Sequence, residues 1–145
     1  MKWTKQAGLT RRFAVAGAMG AMVAGFGRRA MAEQPAPTTD RQGRKVEASG
    51  GGKLPDDYRK IDPDTGEQKA YVVLTPEERA KGFVRPVRTA YTHLRCGYTT
   101  SMSKDIAETF AADPKFYSTG YCSHCRTFFP LTEFVWAGTN DVVGS

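Results

Sequence analysis

His93-Leu94-Arg95-Cys96 and Cys122-Ser123-His124-Cys125 are the two stretches that decide how this chain folds. Their four end positions hold all three cysteines and one of the two histidines, and 25 residues separate the two stretches. Two residues between ligands let a tight turn aim both side chains at one ion, and two such turns complete a tetrahedron. Gly97 follows Cys96 where such a turn favours positive φ, a conformation open to glycine without steric cost. Arg126 holds the matching place after Cys125, so the two halves are expected to differ. Three thiolates and one imidazole select zinc over magnesium or calcium. Four protein ligands leave no open position for a water nucleophile, which points to structural and not catalytic zinc.

Other uses of these residues fit less well. A C-x-x-C pair can be a redox disulfide. Pairing Cys122 with Cys125 leaves Cys96 over, and no βαβ pattern surrounds the pair. Haem attachment needs C-x-x-C-H, and Arg126 stands where that histidine belongs. An iron site of four cysteines needs a cysteine at position 93. His124 is a spare ligand or proton carrier by chemistry and an exposed turn residue by position; the second reading is preferred. Asp105, Glu108 and Asp113 can be read as acid–base carboxylates, but acids on a helix surface are the commoner case.

The 145 residues suffice for one modest domain, and the net charge of +6 invites a nucleic-acid partner. The distribution of charge argues against it. Lys2, Lys5, Arg11, Arg12, Arg28 and Arg29 precede the first acid, Glu33. Of 21 basic residues, removing these 6 leaves 15, against 15 acids. The excess is an address at one end and not a phosphate-binding face. The local run Arg79, Lys81, Arg85, Arg88 and Arg95 is the solvated side of an extended segment.

Residues 1–32 have the form of an export signal peptide. A basic stretch leads into the mild apolar run Phe13–Gly27, and Ala30-Met31-Ala32 gives a small-x-small cleavage pattern. The run is too short and too weak for a membrane span, although an uncleaved anchor is the alternative. Thr10-Arg11-Arg12-Phe13 resembles the twin-arginine translocation signal of bacteria. Ala14 and Val15 stand where that signal usually has an apolar Phe-Leu pair. A periplasmic or secreted location is expected.

Residues 33–68 read as a flexible linker, because Glu33–Lys53 is rich in Pro, Gly, Thr and charge with Val46 as its one large aliphatic. Asp62-Pro63-Asp64-Thr65-Gly66 is a tight-turn sequence. Residues 69–145 form the zinc-binding domain. Tyr71–Leu74 predicts a short strand, and Thr75-Pro76-Glu77-Glu78 a helix start that Gly82 ends after two turns. Phe83–Thr92 is extended and delivers His93. Ser101 or Ser103 caps a helix to Ala112, with Met102, Ile106 and Phe110 as its apolar stripe, and Asp113-Pro114 stops it. A unit of roughly 70 ordered residues is marginal on its core alone, so a metal staple is expected.

Residues 75–145 resemble an uncharacterised family of small zinc-binding proteins encoded in bacterial and phage genomes. The resemblance rests on LTPEERAKGFVRPVR (74–88), THLRCG (92–97), IAETFAADPKFY (106–117) and YCSHCRTFFPLTEFVW (121–136). It implies His93, Cys96, Cys122 and Cys125 as ligands and implies no reaction. Residues 1–68 lie outside it, and the export signal departs from cytoplasmic relatives. The expectation is an α+β, zinc-ribbon-like or zinc-knuckle domain with short strands and one or two short helices behind a disordered N-terminal segment. It is expected to be an exported accessory subunit or protein-interaction module, not an enzyme, with no nucleic-acid partner. The alternatives are a C-x-x-C thiol redox or metal-handling protein in the periplasm and a membrane-anchored accessory subunit of a membrane complex.

Overall fold

A computed structural model describes residues 35–145. The expected signal peptide, with Arg11, Arg12, Ala30 and Ala32, lies outside the described residues. Those described build short strands and two helices, an α+β composition. Strand β1 (Val46–Ala48) pairs antiparallel with β2 (Val72–Leu74), Glu47 opposite Val73. β3 (Ala90–His93) is the centre of a three-stranded sheet, flanked by β4 (Thr99–Ser101) and by β7 (Phe134–Trp136). β5 (Thr119–Cys122) and β6 (Thr127–Pro130) form a separate hairpin.

Helix α1 (Pro76–Arg79) opens on Pro76, whose missing N–H costs nothing at a first helical position. It is one turn long, shorter than the two expected, and Gly82 follows at φ 126°. Helix α2 (Lys104–Ala112) begins after Ser103 and stops at Asp113, whose extended backbone precedes Pro114. The Ser103 hydroxyl turns to Asp105 and not to a backbone amide, so this helix start lacks a side-chain cap. Phe110 of the expected stripe is buried with Tyr91, Phe134 and Trp136, while Met102 and Ile106 pack at the margin of that core.

The segment read as a flexible linker is folded from residue 35 onward, and this corrects the sequence reading. Three devices hold it, none needing many aliphatic side chains. β1 extends β2 by backbone pairing. Leu54 and Tyr58 bury themselves with Ala48 in a small second core. Polar clasps then fix it to both ends of α2. Asp105 accepts from the Ser49 hydroxyl at 3.0 Å and the Gly50 amide at 2.7 Å, and Asp113 accepts from Arg44 at 2.7 Å. The body of the fold therefore reaches well upstream of residue 69.

Candidate metal centre

Each ligand pair sits at the tip of a hairpin. Chain reversal between β3 and β4 carries His93 and Cys96; reversal between β5 and β6 carries Cys122 and Cys125. Both tips close with the same backbone bond, from Gly97 N–H to the His93 carbonyl at 2.7 Å and from Arg126 N–H to the Cys122 carbonyl at 2.8 Å. Gly97 has φ 72° as expected. Arg126 has φ 53°, the one positive-φ non-glycine among the described residues. The expected inequivalence is therefore one of strain: both turns take the same shape, and only the second takes it with a side chain.

The two tips meet. Thr100 and Ser123 tie them together, with their hydroxyl oxygens 3.1 Å apart and the Ser123 amide donating to Thr100 at 3.2 Å. One ligand atom from each of His93, Cys96, Cys122 and Cys125 lies within 4.8 Å of the others. His93 Nδ1 is 3.3 Å from the Cys96 sulfur and 3.7 Å from that of Cys125, and the Cys96 and Cys122 sulfurs are 3.6 Å apart. A tetrahedral zinc with ordinary bond lengths has sulfur–sulfur edges of about 3.8 Å and nitrogen–sulfur edges of about 3.6 Å. The four side chains thus form a candidate metal site of dimensions compatible with zinc.

The imidazole is held by its surroundings. His93 is fully buried, its ring 4.3 Å from that of Phe129 and 4.8 Å from that of Phe134. With Nδ1 facing the sulfurs, Nε2 is buried without a hydrogen-bond partner, and the nearest carboxylate oxygen, on Glu133, is 3.9 Å away. Metal-bound imidazoles commonly aim their other nitrogen at a carboxylate. Glu133 is itself fixed by Arg95 at 2.6 Å, and its carbonyl accepts from the Leu94 amide at 2.8 Å.

The thiols differ in exposure and acidity. Cys122 is buried, Cys125 half-buried and Cys96 exposed. Burial raises the Cys122 thiol, but the Cys125 and His124 amides and the Cys96 thiol outweigh it and hold Cys122 below the usual thiol range. Burial, then the Cys122 and Cys96 sulfurs, push Cys125 up to about 11. The acidified sulfur is therefore the least accessible of the three.

His124 stays out of the cluster, exposed, with its ring 5.5 Å from Tyr98. Asp105, Glu108 and Asp113 are taken up by structure: Asp105 and Asp113 clasp the N-terminal segment, and Glu108 lies 3.0 Å from Arg79. The basic run is largely paired as well, Lys81 with Glu78, Arg88 with Asp141 and Arg95 with Glu133. Phe129, Phe134 and Glu133 around the imidazole were not singled out as site residues from sequence; their signal is a crowded aromatic run directly after the second ligand pair. The turn at 62–66 was also not connected to the site. Gly66, at φ 75°, presses on the Arg126 carbonyl so closely that a Cβ there would stand 1.9 Å from it.

No family model, curated protein or solved structure matches this chain. The reading of the site rests on its own geometry.

Proposed function

We propose that this chain is an exported structural-zinc module that serves as an accessory subunit or protein-interaction part of a larger assembly. The observation that carries the reading is the convergence of four soft ligand atoms within 4.8 Å at the meeting point of two hairpin tips. Such an arrangement suits a zinc-ribbon-like unit, and four protein ligands leave no vacancy for substrate or water. Zinc would join the two hairpins and stabilise the fold directly. Exposed apolar side chains at the first tip, Leu94 and Tyr98, and along Phe83, Val84 and Val87 supply surface for a partner. Export rests on residues 1–32 and their resemblance to twin-arginine signals. That route resembles one for folded proteins, and loading zinc before export would protect three thiols from oxidation. The resemblance to small bacterial and phage zinc-binding proteins supports the same ligand set.

The test is metal analysis and thiol titration of the protein purified from its host. The expected result is one equivalent of zinc and three thiols that react only after a chelator is added. Metal-free protein, or a Cys122–Cys125 disulfide as isolated, overturns the reading and favours the redox alternative. An N-terminal residue of Glu33 supports cleavage; Met1 or Lys2 favours the membrane-anchored alternative. Among the described residues no helix is long and apolar enough to cross a membrane.

A further inference from the structure

A second concave site lies apart from the four metal ligands, in the angle between the three-stranded sheet, the β5–β6 hairpin and α2. It is a cavity of about 280 Å³. Its walls include Tyr71, Tyr91, Tyr121 and Phe128, with Phe110 at the back. The ring of Phe128 stands 6.4 Å from that of Tyr71 at 46° and 5.4 Å from that of Tyr121 at 56°, so the three rings are tilted against one another along the lining. The one charged side chain lining the cavity is Glu67. Among the described residues its carboxylate has no ion pair, whereas the neighbouring Lys69 is engaged by Asp57 at 2.6 Å.

The charge reaches the rings. Burial first, and then the Glu67 carboxylate, raise the Tyr71 hydroxyl above the usual tyrosine range, which keeps this wall neutral. Electron-rich ring faces and one unpaired carboxylate attract a cation. Tyr91 donates its hydroxyl to the Tyr121 carbonyl and Tyr121 donates to the Thr65 carbonyl, so these hydroxyl protons are committed to the fold. The hydroxyl oxygens of Ser49, Thr100, Ser101, Ser103 and Thr119 join the lining and add acceptors beside Glu67.

We propose that this cavity binds a small organic cation, with Glu67 as its counter-charge and Tyr71, Tyr121 and Phe128 as its aromatic wall. The site is distinct from the metal centre and needs no metal chemistry.

The test is calorimetric titration of the metal-loaded full chain with choline, beside 3,3-dimethylbutan-1-ol as the neutral molecule of the same shape. The expected result is saturable one-to-one binding of choline, with the neutral analogue weaker by roughly ten-fold or more. Glu67→Gln, at an exposed position, and Tyr71→Leu should each weaken choline by roughly three- to ten-fold while metal content and melting temperature stay unchanged. Absence of saturable choline binding overturns the proposal, as does equal binding of the neutral analogue. Should Tyr71→Leu fail to fold, Glu67→Gln decides alone; wild-type affinity in that variant is the adverse result.

Discussion

Arg44 and Asp113 meet at 2.7 Å across 69 residues of sequence, and the same guanidinium holds Asp40 at 2.6 Å. This one side chain joins the polar segment before β1 to the C-terminal end of α2. Arg44→Ala should cost about 1–2 kcal/mol in urea unfolding, since two partly buried carboxylates lose their partner. Limited proteolysis should show new cuts between residues 35 and 53. Lysine should restore little, because it lacks the fork that reaches two carboxylates at once.

The other clasp makes the fold acid-sensitive. Burial raises Asp105, but the Ser103 hydroxyl, the Gly50 amide and the Ser49 hydroxyl outweigh it and hold its carboxyl below the usual value of 3.8. Asp40 is likewise lowered against its burial, by the amide and guanidinium of Arg44. A carboxyl depressed in the folded state stabilises fully above its unfolded value, and that contribution is lost as pH falls through the folded value. Stability should therefore drop below about pH 4. Urea midpoints of wild type and Asp105→Asn, compared at each pH from 6 to 3, should converge in acid. Metal loss in acid affects both proteins alike and leaves the difference readable.

Glu133→Gln should loosen His93 without removing a ligand. The carboxylate stands 3.9 Å from the buried, unpartnered Nε2. If the carboxylate orients the imidazole once metal is bound, its loss should lower metal affinity by about 10–100-fold. Competition with a chromogenic chelator measures it, and an unchanged affinity would show that Glu133 serves only Arg95.

Two glycines separate backbone strain from steric exclusion. Gly97→Ala meets nothing within 4 Å, so its cost is that of positive φ, about 1 kcal/mol. Gly66→Ala adds a clash with the Arg126 backbone and should cost about 2–4 kcal/mol. Thermal unfolding distinguishes the two.

Arg126→Gly gives the opposite sign. It relieves a non-glycine at φ 53° and loses one long hydrogen bond, of 3.3 Å, to the Asp64 carbonyl. A gain of up to about 1 kcal/mol is expected in the metal-loaded protein, read as a higher urea midpoint.

The candidate site was legible because its chemistry is local in sequence. Each pair of ligands shares a short turn, and Gly97 announces the conformation that turn needs. Helix α2 was legible for a similar reason, since Asp113-Pro114 ends it. The N-terminal segment was not. Its order comes from groups that composition counts as signs of disorder: Gly50 offers an amide to Asp105, Gly66 permits close approach to Arg126, and Arg44 spans to Asp113. Each of these partners lies far along the chain, beyond the segment itself. The same blindness hid the roles of Asp105 and Asp113, which look like helix-surface acids until the segment they hold is in place. Helix α1 came out one turn long: it gives way to a turn at Ala80–Lys81, and Gly82 then leaves the helical region at φ 126°.

The clasp around α2 also sets an order of events during synthesis. Residues near Arg44 leave the ribosome well before Asp113, with about 3–14 seconds between them at roughly 5–20 residues per second. Throughout that interval the segment has β2 and its own small core to rest on, but not the clasps to α2. A sequence rich in apolar side chains would be exposed to sticking during the wait, whereas one rich in glycine, proline and charge stays soluble until α2 arrives. The first part of the body to be made is thus fixed to α2 only after that helix has followed it, and its plain composition suits it to waiting.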